Sequence, residues 1–405
     1  MDDFLINWVT PIVTNGDGHD IPRFIIPKPA THVNYNIGEW SLRPGDIPNT
    51  VTHLKFTNIE FGSKVNTKQL EKGIIPDSVI YLKFGSGFND LLKPGIIPNS
   101  VTCLVFGKRY NQLLKRGVIP NSVTHLTFGK YYDEPLELGV IPTSVTHLVL
   151  GWMIYLKPGE IPNSITHLTF GQKFNRPLKP GIIPDSVTHL TLGYYFSNSL
   201  KPEDIPNSVT HLRIGDHFNQ EIKPGDIPDS VTHLVFGEYF NLPLIPGGIP
   251  NSVTYLRLGD CFNQPLKKGD IPNSVTHLVF GMHFDQPLTP GAIPDSVIDL
   301  EFGHQFNQPL KKGDIPNSVI VLFFGAYFDQ NLFEQEIIPE SVCYIAGGRK
   351  YNYGIYNKWT RYTSRYCSYD KMYRDVFISK LGSSILDCIP YELVFYLLEY
   401  QVNFL

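Results

Sequence analysis

The stretch IPNSVTHLTFG, Ile119 to Gly129, recurs with small changes along this 405-residue chain, and its reading decides the fold. Pro120 fixes its own φ and pushes Ile119 into an extended conformation. Pro120-Asn121-Ser122 is turn chemistry. From His125 to Phe128 polar and apolar residues alternate, the mark of a short strand with one buried face. Gly129 ends it. The rest of the unit, KYYDEPLELGV (130–140), carries proline and glycine in most copies. That leaves no room for a full helix, so the return path is expected to be extended or a tight turn.

The Ile-Pro steps give the period. Their prolines run from Pro48 to Pro339 at intervals of 22, except for 28 after Pro48, 20 after Pro142 and 23 at the end. A worn copy, IPKPATHVNY from Ile26, keeps the register 21 residues before Pro48. Such a period points to a solenoid. One unit buries too few side chains to offset the entropy of ordering its own backbone, so units must share apolar faces and pair strands edge to edge.

Whole units such as IPNSITHLTFGQKFNRPLKPG (161–181) and IPNSVTHLVFGMHFDQPLTPG (271–291) resemble FNIP repeats, relatives of leucine-rich repeats found mainly in social amoebae and giant amoeba-infecting viruses. The resemblance covers residues 47–346. It implies a mainly β, leucine-rich-repeat-like solenoid, right-handed, with about 14 rungs of 22 residues. Its strands are short and parallel, with few helices except at the C-terminus. It implies an interaction role rather than a reaction, and a viral origin would place the protein in the host cytoplasm. Three places depart from the pattern: Thr57 where a glycine ends the strand elsewhere, the shortened WMIYLKPG (152–159), and IPESVCYIAGG (338–348), which closes the array. The expected organisation is an N-terminal cap with one degenerate repeat (1–46), the solenoid (47–346), a Tyr-rich cap or linker (347–374) and a C-terminal helical segment (375–405).

Composition narrows the function. Net charge is -4, so no global basic field draws the chain to nucleic acid or anionic lipid. The five cysteines are scattered and fit neither a disulfide framework nor a zinc knuckle. The N-terminus MDDFLINWVT is acidic where a signal peptide is basic, and no apolar run reaches transmembrane length. An intracellular protein is expected, with no nucleic-acid or membrane partner. No P-loop, GxSxG, HExxH or close Cys/His set is present. No enzyme, catalytic residue, cofactor or resident metal is expected.

In a solenoid, equivalent positions form files. The phenylalanine file (Phe174, Phe196, Phe218 and onward) reads as core. The Asn/Asp file after it reads as a turn ladder. The histidine file includes His125, His147, His167, His189, His211 and His233 on consecutive rungs, with parity opposite to the buried leucines, so it should face outward. A hydrogen-bonded surface ladder, a pH-sensitive face and a metal-binding array all fit these residues. Charged neighbours one rung apart repel, so neutral rings with several pKa values below 6.5 are expected. Two residues after the histidine the file varies and includes Arg213, Arg257 and Glu301. The pair after the strand-ending glycine varies too and includes His217, Tyr239 and His283. These six, with the six ladder histidines, are the candidate contacts for a protein partner of unknown identity.

The final segment, SSILDCIPYELVFYLLEYQVNFL (383–405), reads as an amphipathic helix. Pro390 suits the first helical position and Glu392 the first turn. Two readings stay open for it: a helix that closes the solenoid, or a partial F-box. In the second, Ile389, Pro390, Glu392, Leu393, Leu397 and Leu398 resemble the helix by which substrate receptors dock on the Skp1-like adaptor of cullin ubiquitin ligases.

Overall fold

The computed structural model describes residues 30–36, 42–57 and 70–348 except Met153, Asn331 and 333–336, together with Ile12–Thr14, Arg23–Ile26 and Tyr351–Ile355. The chain divides into two units, Met1–Tyr356 and Asn357–Leu405. The second lies wholly outside the described residues, and with it the expected C-terminal helix and its docking residues.

Sixteen strands form one sheet in strict chain order. From His32–Asn36 to Tyr344–Gly347 each strand pairs parallel with the next, and Tyr351–Ile355 then folds back antiparallel on Tyr344–Gly347. Register never slips along the repeat: His189 stands opposite His167 and His211, and Leu190 opposite Leu168 and Leu212. The worn copy joins this sheet, its His32 opposite His53. A separate antiparallel pair joins Ile12–Thr14 to Arg23–Ile25. No helix occurs among the described residues.

One rung shows how the sequence winds the coil. Val123 N–H donates to Pro120 C=O at 3.1 Å, closing the turn that Pro-Asn-Ser encodes. Ser122 Oγ donates to Val101 C=O of the preceding rung at 2.7 Å, tying this turn to its neighbour. The strand is only His125–Thr127, with Leu126 buried and its neighbours turned outward. After Gly129 the chain bends: Tyr132 N–H bonds Gly129 C=O at 3.0 Å and the Tyr132 ring enters the core. Leu136 follows it inward. Gly139 then takes φ +82°, a left-handed turn that returns the chain to the buried pair Val140 and Ile141.

The core is the sum of these files. Valine, leucine, two aromatic positions and the isoleucines stack rung on rung into one continuous apolar cluster. Phe262 and Phe284 illustrate the spacing, with ring centroids 6.1 Å apart and 13° from parallel. Within a rung the two aromatics also meet, as Phe302 and Phe306 do at 4.1 Å. The strand-ending glycine is required by its neighbour: a Cβ on Gly215 would lie 2.1 Å from the carbonyl oxygen of Gly193. At the turn after the lysines, Ile74, Ile96, Val118, Val140, Ile182 and Ile337 are buried in six rungs, whereas Asp204, Asp226, Asp270 and Asp314 stand buried there in four others. Each of these aspartates accepts a backbone N–H three residues earlier, for example Lys223 N–H at 2.7 Å. The buried carboxylate thereby satisfies an otherwise open turn donor.

Candidate interaction face

The outward strand face begins with the histidines. His125, His147, His167, His189, His211 and His233 stack face to face, with successive ring centroids 4.1–4.2 Å apart and planes 11–15° from parallel. Tyr255 and His277 continue the file, and Asp299 follows His277 in register.

The threonine before each histidine holds its ring. Thr210 Oγ1 lies 2.9 Å from His211 Nδ1 and 3.2 Å from the Thr188 carbonyl oxygen one rung back. A carbonyl only accepts, so the hydroxyl that donates to it must accept from Nδ1–H. That arrangement carries the proton on Nδ1 and leaves Nε2 as the outward acceptor; because the Thr188 carbonyl already accepts the N–H groups of Thr210 and His211, the hydroxyl can instead donate to Nδ1 of the other tautomer. The same contacts recur at His125, His147, His167, His189, His233 and His277. Burial, with His277 and His189 two rungs away on either side adding to it, holds His233 below the ordinary histidine pKa. Burial also lowers His277, and burial with His32 and Lys55 lowers His53. Nitrogens on stacked rings run side by side rather than converge, and no three His, Cys, Asp or Glu side chains among the described residues are placed to hold a metal ion.

The second outward file carries the charges. Arg213 bridges to Asp216 at 3.2 Å and Arg257 to Asp260 at 3.6 Å. Each pair links the strand face to the ridge formed by the residues after the glycine. Glu301 lies two rungs beyond Arg257 in the same file and is exposed. Burial first, then the charge of Glu301, pushes the Asp299 carboxyl up to about 7.

Along the ridge, backbone bonds keep the register: His217 N–H donates to Tyr194 C=O and Tyr239 N–H to Asp216 C=O, both at 2.8 Å. His217 packs on Tyr195 at 4.6 Å, Tyr194 at 4.9 Å and Tyr239 at 4.8 Å. His283, half-buried, stands two rungs further on and joins neither this cluster nor the ladder. Thus the structure gathers the six ladder histidines in one file and His217 with Tyr239 in another. Arg213 and Arg257 stand between the two, while Glu301 and His283 lie toward the C-terminal end. Ile389, Pro390, Glu392, Leu393, Leu397 and Leu398 fall outside the described residues.

Two features escaped the sequence reading. The threonine clamps were legible in the repeated Thr-His dipeptide. The other is Trp152, with Lys130 and Lys173, and its signal was the interval of 20 residues after Pro142.

The FNIP Repeat pattern matches in consecutive and overlapping copies: residues 41–87, 66–109, 88–131, 110–152, 155–195, 196–225, 218–261, 262–305 and 306–346. Among solved structures the chain is similar to CroV588, described as a novel circular LRR protein, with a TM-score of 0.54 and 29% identity over 81% of this chain. It spans 58% of that protein's length. Comparison with curated proteins finds no match. A register-true parallel solenoid, built from a unit that this pattern matches from residue 41 to residue 346, places the chain plainly: it belongs to the FNIP repeat family.

Proposed function

We propose that this chain is a non-enzymatic scaffold that holds a protein partner on its outward strand face. One observation carries the reading. On a frame in which nearly every inward position repeats, the second outward file reads Thr191, Arg213, Val235, Arg257, Val279 and Glu301 on consecutive rungs. These side chains do not pack the core, so their variety is free to encode recognition, as on the exposed faces of other repeat proteins. The stacked histidines beside them give a flat, rigid border that orders few rotamers on binding. Leucine-rich-repeat-like solenoids serve widely as interaction modules.

The test compares affinity capture by the native chain with capture by the triple variant Arg213→Ala, Arg257→Ala, Glu301→Ala. The expected result is a protein retained by the native chain and lost by the variant, with circular dichroism showing that the variant keeps the fold. Equal retention by both chains overturns the reading.

A further inference from the structure

The ridge changes character at the one rung that is two residues short. In nine other rungs the second residue after the glycine donates its N–H to the first ridge residue of the rung before, as Tyr131 does to Lys108 at 2.9 Å. In the short rung Trp152, the first residue after Gly151, makes this bond to Lys130 at 2.9 Å. The deletion has moved the indole into the second ridge position. There it meets Tyr131 edge-on at 4.6 Å. Lys130 Nζ from the rung before and Lys173 Nζ from the rung after each lie 4.3 Å from the Trp152 ring. Lys108 Nζ stands 5.7 Å from Tyr131, and the Arg176 guanidinium 5.1 Å from Tyr155. Among the described residues, Lys108, Lys130, Lys173 and Arg176 have no carboxylate partner. The nearby Asp133 is occupied, accepting Asn111 Nδ2–H at 2.7 Å. The Trp152 Nε1–H is covered yet has no acceptor among the described residues.

We propose that this cationic-aromatic ridge docks an acidic, extended segment of a protein partner. The site is distinct from the strand face and does not rest on it. Cation-aromatic contacts hold the ammonium groups in place before binding, so less rotamer entropy is lost when carboxylates arrive. The two ammonium groups that flank Trp152 are separated by about 8–9 Å at most. Alternate side chains of an extended segment repeat at about 6.5–7 Å, so acidic residues at every second position reach both lysines. Single-stranded nucleic acid fits less well: a base needs an open aromatic face, and a lysine stands over Trp152 from each neighbouring rung.

The test uses the full chain and a labelled peptide of about eight residues with glutamate at alternate positions, followed by fluorescence anisotropy at low and high salt. Binding is expected at low salt and should weaken as salt rises. Lys130→Glu with Lys173→Glu should lower affinity at least about tenfold. Melting temperature, and peptide binding by the Arg213→Ala, Arg257→Ala variant of the strand face, should stay unchanged. Lys130→Gln with Lys173→Gln, a milder exchange, should give the same direction if the charge-reversed chain does not fold. No binding at low salt overturns the proposal, as does binding indifferent to both lysine variants. So does an oligonucleotide of equal charge that binds more tightly than the peptide. Light scattering completes the test: a native dimer that these lysine variants dissolve would make the occupant a second copy and overturn it too.

Discussion

The imidazoles of His211 and His233 lie face to face, with ring centroids 4.1 Å apart and planes 11° from parallel. Two charged rings at that distance repel, and burial adds to the penalty, so the ladder favours neutral rings. This gives the face a pH dependence of known sign. His233 and His277 have folded-state pKa values below the ordinary 6.5. On acidification the unfolded chain takes up protons near 6.5 that the folded chain still refuses. Stability is therefore complete above that pH and falls below it, toward the lowered folded values. The melting temperature of the native chain should drop between pH 7.5 and pH 5, and His233→Gln should lose less over the same interval. An equal drop in both would show that the ladder is not the acid-sensitive element.

Asp299 acts in the opposite direction. Its folded-state pKa is pushed up to about 7 by burial and by Glu301. The folded chain keeps this proton at pH values where the unfolded chain has released it, so the contribution is full in acid and is lost as pH rises through 7. Asn mimics the protonated acid. Asp299→Asn should therefore stabilise the chain at pH 8, by about 2 kcal/mol after solvent screening, and change little at pH 3.5. Denaturation at the two pH values gives the comparison, and a stabilisation independent of pH would count against the account.

The fold was legible because a repeat fixes its own register. Once His125, Leu126 and Thr127 are read as a strand, the copy 22 residues on must place His147, Leu148 and Val149 beside them, and it does. The inward faces of Phe218 and Leu212 followed from the same alternation and periodicity. What could not be read was how side chains meet across rungs. Nothing in a one-dimensional pattern says that Thr210 reaches both His211 and the Thr188 carbonyl, because those contacts depend on where the preceding rung's backbone sits. The Trp152 cluster was hidden for a related reason: a deletion reads as a loss, while its effect in space is to shift an indole between Lys130 of the rung before and Lys173 of the rung after.

Glu203 holds a position that glycine fills in most rungs, and it adopts φ +72° there. A side chain in the left-handed region costs about 1–2 kcal/mol, of which glycine returns a part through its larger unfolded-state entropy. Glu203→Gly should therefore stabilise the chain by about 0.5–1 kcal/mol. The midpoint of urea unfolding measures it, and a lower midpoint would mean that Glu203 makes contacts worth more than its strain.

The last prediction concerns the Asn/Asp file. Asn241 Oδ1 accepts the backbone N–H of Asn263 at 2.9 Å and Gln264 Nε2–H at 3.1 Å. The same bond recurs from Asn263 to Asp285 and from Asn307 to Asp329, at 2.9 Å each. An acceptor oxygen is thus what each rung offers the next, and the amide nitrogen is secondary. Asp285 bears this out, since its carboxylate accepts the Asn307 N–H at 2.9 Å in the same geometry. Asn241→Ala removes the acceptor and leaves a turn N–H to be satisfied by water, at a cost of about 1–2 kcal/mol. Asn241→Asp keeps the oxygen and should cost less than about 0.5 kcal/mol at neutral pH. The two variants, compared by denaturant midpoint, separate the acceptor from the residue: equal losses would mean that the file depends on the amide itself.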